Sequence, residues 1–111
     1  MIYVGMDVSS KSFEIYAING RKKIVKKSAI KPTKQALRTL ASELSAERCL
    51  FVFEAGNQLK WIADTLKKIP HVDLHVVHPN EVKWISQSSG KTDKVDAKKL
   101  AELARMDALP R

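Results

Sequence analysis

Ile2, Val4, Met6 and Val8 alternate with Tyr3, Gly5 and Asp7. That period of two predicts a strand over residues 2–8, with Asp7 on the face opposite the four aliphatic side chains. Phe13 to Ile18 is apolar on both faces apart from Glu14 and predicts a second strand. Asn19-Gly20 is a two-residue hairpin signal, so residues 21–28 are expected to return as a third, very basic strand. A sheet edge suits that strand, because lysines there discourage edge-to-edge aggregation. Pro32-Thr33 opens a helix in which Ala36, Leu37, Leu40, Ala41 and Leu44 recur at helical spacing. Leu50 to Phe53 is a short unbroken apolar run, as in a strand buried on both faces, and it ends at Glu54-Ala55-Gly56.

Asn57 is expected to cap the next helix, which carries Leu59, Ile62, Leu66 and Ile69 on one side and stops at Pro70. Leu74 to Val77 predicts a further strand, broken by His78-Pro79. Asn80 to Ile85 suggests a turn or two of helix, and the polar run 86–90 a mobile loop leading toward residue 92. A last helix is expected from about Asp93 to Arg105, with Ala97, Leu100, Ala101 and Ala104 on one face. The order is β-β-β-α-β-α-β-α. Hairpins followed by alternating units require a mixed five-stranded sheet with right-handed crossovers, an α/β architecture.

The chain has 111 residues, 44% of them apolar and 29% charged, which suits one domain with one core. No apolar run approaches the 18 or so residues of a membrane span. The first residues meet a carboxylate at Asp7 and lack a basic leader, so a signal peptide is not expected. The single cysteine, Cys49, cannot bridge internally and fits a reducing, cytoplasmic setting as a small buried apolar residue. Charge changes the picture most. Twenty Lys plus Arg against twelve Asp plus Glu give a net charge of +8, which favours a polyanionic partner such as nucleic acid. Between Ile15 and Ser42 there is no acid, while Arg21, Lys22, Lys23, Lys26, Lys27, Lys31, Lys34 and Arg38 fall in that stretch. A solvated face and a phosphate-contacting surface both account for it.

Four acids stand in costly or patterned places. Asp7 lies mid-strand and Glu54 ends the buried run; a carboxylate there costs several kcal/mol unless paired, hydrogen-bonded or metal-bound. Asp93 and Asp96 are three apart at a helix start, about 5–6 Å from each other on one helical face. If strand one neighbours strand four, Asp7 and Glu54 lie side by side, and the last helix can bring Asp93 and Asp96 to the same point. Four carboxylates together need divalent cations, and hard oxygen ligands suit Mg²⁺ or Mn²⁺. Two such ions about 3.5–4 Å apart support phosphodiester cleavage. Local readings compete: Asp93 as an N-cap with Asp96 completing a capping-box-like pair, Asp7 serving a loop or a buried lysine, and Glu54 favouring the following helix through its dipole. One metal site accounts for all four acids at once.

Ser9, Ser10 and Lys11 follow Asp7 and serve either a turn or a metal-bound phosphate. Lys91, Lys94, Lys98 and Lys99 flank the Asp93/Asp96 pair and can hold substrate phosphates beside it. In a strand, His71 and His75 would share a face but stand about 13 Å apart, which argues against zinc. Trp61 suits packing, and Trp84 suits packing or base stacking. An ATPase of the sugar-kinase type wants a Gly-rich turn after its strand-borne Asp, and Val8-Ser9-Ser10-Lys11 offers none.

Tyr3-Val4-Gly5-Met6-Asp7-Val8-Ser9-Ser10-Lys11 resembles the opening of the DEDD-type insertion-sequence transposases, the family that includes the pilin-gene invertase. Phe53-Glu54-Ala55-Gly56 is similar to that family's second acidic motif, and Lys91-Thr92-Asp93-Lys94-Val95-Asp96-Ala97 to its third and most specific one. The resemblance implies a RuvC-like, RNase H-type fold. It implies an acidic tetrad of Asp7, Glu54, Asp93 and Asp96 binding Mg²⁺ or Mn²⁺, and recombination of insertion-sequence DNA guided by a structured RNA. Family members continue into a coiled-coil segment and a second, serine-bearing domain, so residues 1–111 are expected to be the N-terminal catalytic domain of a longer, homo-oligomeric transposase and inactive in recombination by themselves. Arg21, Lys22, Lys23, Lys26 and Lys27, with Ser9, Ser10, Lys11, Lys91 and Lys94, are the candidate nucleic-acid contacts. Two other functions fit the same residues: a RuvC-like nuclease that hydrolyses DNA junctions, and a non-enzymatic basic domain that binds structured RNA.

Overall fold

The computed structural model describes residues 1–78 and 96–109. Over them the chain forms β1 (Ile2–Val8), β2 (Phe13–Asn19), β3 (Ile24–Ile30), α1 (Lys34–Glu43), β4 (Cys49–Glu54), α2 (Leu59–Lys67), β5 (Val72–Val77) and α3 (Ala97–Arg105). This is the expected order. The expectations for Asn80 to Ile85, for Trp84, for the run 86–92 and for Lys91, Asp93 and Lys94 lie outside the described residues.

The five strands make one sheet in the order β3-β2-β1-β4-β5. β1 and β2, and β2 and β3, are joined by tight turns and are antiparallel. β1 and β4, and β4 and β5, pair in parallel, as strands linked through helical crossovers do. Alternation sorts the side chains between two faces. Ile2, Val4, Met6, Phe13, Phe51 and Phe53 point to one face, where Leu37 and Leu40 of α1 and Ile62 and Leu66 of α2 cover them. Phe13, Phe51 and Phe53 are fully buried there, each contributing about 1.5–3 kcal/mol. Trp61 joins this core, its ring stacked 5.8 Å from that of Phe13. The opposite face is covered by α3, whose Leu100 and Ala104 pack with Val52 and Val77.

Local chemistry shifts several expected boundaries. The Asn19-Gly20 turn is not a two-residue hairpin. The Asn19 side-chain oxygen accepts from the backbone N–H groups of Arg21 (2.9 Å) and Lys23 (3.0 Å), which draws residues 20–23 into the loop and starts β3 at Ile24 instead of residue 21. The left-handed position in that loop falls on Lys22 (φ 67°). α1 opens at Pro32-Thr33 as expected, and Thr33 caps it, its hydroxyl accepting from the N–H of Ala36 at 3.1 Å. Asn57 does not cap α2. Gln58 takes the cap position without a side-chain capping bond, and its Nε2 donates to the Ser9 carbonyl at 3.1 Å. β5 begins at Val72, two residues before the expected start.

Candidate functional site

The two strand-borne acids meet through register. Tyr3 pairs with Leu50 and Gly5 with Val52 across the parallel strands β1 and β4. Two residues further along each strand, on the same face, are Asp7 and Glu54. They stand at the carboxyl ends of neighbouring strands whose chains then diverge, β1 turning back into β2 and β4 leaving through α2 for β5. Such a divergence opens a crevice, and α/β proteins place ligands there. The crevice is a cleft of about 610 Å³ lined by Asp7, Glu54, Ser9, Ser10, Asn57 and Leu100, among others. Both carboxylates are partly exposed, so their hydration offsets the cost of standing beside the core.

Asp96 lies on the α3 side of the sheet and lines a cleft together with Asp7. α3 lies so close on β1 that a Cβ on Gly5 would collide with the Ala97 carbonyl oxygen and stand 2.9 Å from the Ala101 nitrogen. A glycine inside a strand marks such an approach of backbones. Asp96, one residue before Ala97, is the N-cap of α3, its Oδ1 accepting from the Lys99 N–H at 2.8 Å. The expected arrangement, Asp93 as cap with Asp96 inside the helix, is thereby corrected for Asp96. The cap bond uses Oδ1. A second cleft of about 290 Å³ is lined by Asp7, Glu14, Tyr16, Lys27, Asp96 and Lys98. Asp7 is the wall common to both clefts, with Glu54 in one and Asp96 in the other. Among the described residues, no three His, Cys, Asp or Glu side chains form a closed metal-binding group; Asp93 lies outside them.

The basic and hydroxyl candidates are dispersed. Ser9 builds the β1–β2 turn: its hydroxyl donates to the Ser12 carbonyl at 2.7 Å and accepts from the Ser12 N–H at 3.2 Å. Ser10 lines the larger cleft, whereas Lys11 is exposed and lines neither. Arg21, Lys22 and Lys23 lie at the far end of the sheet, since Asn19 pairs with Ile2 while Glu14 pairs with Asp7. About 17 Å of strand separates those two ends. Lys26 and Lys27 point to opposite faces. Lys26 binds Glu43 of α1 at 3.2 Å, and Lys27 borders the smaller cleft.

Glu14, opposite Asp7, and Gly5, beneath α3, join the site without having been expected there. A four-residue turn at 9–12 places residue 14 opposite residue 7, and a glycine two residues before a strand-borne Asp signals a close neighbour; both were readable signs. Cys49 and the histidine beside its strand serve structure. The Cys49 thiol is buried and donates to the Leu44 carbonyl at 3.3 Å, and burial pushes its pKa up to about 11. The His71 ring bonds the Ala41 carbonyl at 2.8 Å. Arg48 grips Asp73 through two bonds of 2.7 Å, holding that carboxyl below its ordinary pKa.

No curated protein matches the sequence. A family model for DEDD-type transposases, described as "Transposase", matches residues 4–111. Among solved structures, the fold is similar to that of a fowlpox virus resolvase in complex with substrate Holliday junction DNA (TM-score 0.54, 16% identity, 99% of this chain and 100% of that one). It is also similar to T. thermophilus RuvC in complex with a Holliday junction substrate (TM-score 0.57, 12% identity, 98% of each chain). At these identities the likeness is one of fold, and the fold is RNase H-like.

Proposed function

The chain belongs to the DEDD-type transposase family, and on that premise we propose that it is the RuvC-like catalytic domain of a recombinase that cleaves and rejoins DNA strands when an insertion sequence moves. One observation carries the reading: Asp7 and Glu54, 47 residues apart in sequence, end neighbouring parallel strands on one face and line one cleft, while Asp96 at the start of α3 lines a second cleft with Asp7. The catalytic set is Asp7, Glu54 and Asp96 with Asp93.

The donor set fits a divalent cation. Asp7 and Glu54 offer hard oxygens in an open, hydrated cleft, and Asp96 keeps one oxygen outside its cap bond. Bound there, Mg²⁺ or Mn²⁺ supplies charge neutralisation and polarisation at a scissile phosphate. The protein's own groups do the positioning. Gly5 lets α3 seat Asp96 against β1, Gln58 ties the Ser9 carbonyl to α2 and holds the cleft rim, and Ser10 offers a hydroxyl to a phosphate oxygen. Lys27 and Lys98 draw a polyanion toward the smaller cleft. On this reading the protein works in the cytoplasm as part of a homo-oligomer, and its excess of basic charge serves DNA and a structured guide RNA.

The test is Mn²⁺ titration of the chain by calorimetry, with DNA strand exchange by the transposase that carries it. Asp7→Asn should abolish strand exchange and weaken Mn²⁺ binding; full strand exchange in that variant removes the assignment. A junction-hydrolysing nuclease is the second reading, favoured by the end-to-end likeness to two resolvases. Products distinguish the two, since recombination leaves strands joined to new partners and hydrolysis leaves nicked ends. A binding-only RNA module predicts no response to Mn²⁺ at all.

A further inference from the structure

α1 and α2 lie side by side on the face away from α3, and both begin at the rim of the larger cleft, where Pro32, Asn57, Gln58 and Leu59 line it. Between them runs a groove of about 250 Å³. Lys34 and Arg38, one helical turn apart, form one wall, and Lys60, Asp64 and Lys68, each one turn further along, form the other. Asn57 lines both this groove and the carboxylate cleft, so the two adjoin.

The cations at the start of both helices stand against helix stability, whereas Lys68 at the C-cap of α2 does not. Neither helix has an acid in its first turn; Lys34 and Lys60 stand there instead, and the last turn of α1 has no basic residue and holds Glu43. A cation at a helix N-terminus is unfavourable by about 0.3–1 kcal/mol. The acid lining the groove, Asp64, faces Lys60 at 3.6 Å. Among the described residues no carboxylate pairs with Lys34, Arg38 or Lys68. Lys34 and Arg38 stand about 6 Å apart along one wall, and Lys60 and Lys68 about 12 Å apart along the other with Asp64 between them, so the groove carries four cations against one acid, a balance that suits a polymer of negative charges. Trp61 also lines the groove, fixed by its stack on Phe13.

We infer that the α1/α2 groove binds the phosphate backbone of DNA, as a track that leads the strand flanking the cleaved bond into the carboxylate cleft. Their adjacency at Asn57 favours DNA as the occupant, because a polymer in the groove then lies beside the cleft that would receive its phosphodiester. The choice of DNA rests on the proposed function; the groove itself rests on charge and shape.

Fluorescence anisotropy with a labelled DNA duplex, in EDTA, tests it without any need for catalysis. The triple variant Lys34→Ala/Arg38→Ala/Lys68→Ala should bind roughly tenfold or more weakly and lower the slope of log K against log salt by about 2–3. The variant Arg21→Ala/Lys22→Ala/Lys23→Ala removes the same charge at the far end of the sheet and should change affinity less than about threefold, as generic screened charge does. Equal losses in the two variants, or none in the groove variant, overturn the inference. A structured RNA that depends on the groove while the duplex does not overturns the choice of DNA. Asp7→Asn, which tests the carboxylate reading, should keep groove binding intact in EDTA, so the two ideas fail separately; weakening there as large as in the groove variant counts against a distinct track.

Discussion

The Ala97 carbonyl oxygen fills the space in which a side chain on Gly5 would stand. That contact couples two acids that the sequence holds far apart, since Asp7 lies two residues beyond Gly5 on the same face and Asp96 immediately precedes Ala97. The first prediction follows directly. Gly5→Ala forces α3 away from β1 and costs about 1–3 kcal/mol as overpacking. A thermal melt should show a midpoint lowered by roughly 4–8 °C per kcal/mol. Mn²⁺ affinity should fall as well, because Asp96 moves with the helix; an unchanged midpoint would mean that the close approach is dispensable.

Asp96 caps α3, and on the proposed function it also contributes to the metal site; substitution can separate the two. As N-cap it accepts the Lys99 N–H, which Asn can also do. Asp96→Asn should therefore leave urea stability within about 0.5 kcal/mol of the native protein while weakening Mn²⁺ binding. Asp96→Ala should lose both, with a stability cost of about 1 kcal/mol. Equal Mn²⁺ affinity in native and Asn proteins would leave Asp96 as a cap alone.

Lys22 occupies the left-handed region in the turn between β2 and β3. A side chain there costs roughly 1–2 kcal/mol that glycine avoids, part of which is offset by glycine's freedom in the unfolded chain. Lys22→Gly should raise the urea midpoint by an amount worth about 0.5–1 kcal/mol. Lys22 is exposed, so lost packing does not obscure the comparison. A lowered midpoint would refute the strain argument.

Cys49 makes stability sensitive to alkali. Burial, aided by Glu47, raises its pKa from the 9.0 of an ordinary thiol to about 11 in the fold. Below pH 9 both states hold the proton and the contribution is complete. Between about 9 and 11 the unfolded thiol ionises while the folded one does not, so stability falls as pH rises through that window. Cys49→Ala lacks this slope. Subtracting its stability-versus-pH curve from that of the native protein should leave a decline confined to the window, and a flat difference would contradict it. A disulfide reagent at neutral pH should react with the thiol only after unfolding.

Much of this was legible in the chain itself. Period two along Ile2–Val8 set Asp7 against the aliphatic face, and the apolar run before Glu54 marked a strand buried on both sides. Helical spacing after Pro32-Thr33 foretold α1, and the element order followed. These signals come from neighbours a few residues apart, which is why sequence carries them. The turn after Asn19, the cap of α2 and the cap of α3 differ from expectation because Asn, Gln and Asp side chains each have several backbone groups within reach, and the surrounding packing selects among them. The basic run looks continuous in sequence, yet folding sends Arg21–Lys23 to the far end of the sheet, Lys26 and Lys27 to opposite faces, and Lys34 and Arg38 into a groove with Lys60 and Lys68. The sequence by itself thus determined which residues alternate, which turn and which carry charge. Only the tertiary structure decided which of them meet, because the parallel pairing of β1 with β4 and the seating of α3 over Gly5 join segments separated by tens of residues, and long-range packing sets that register.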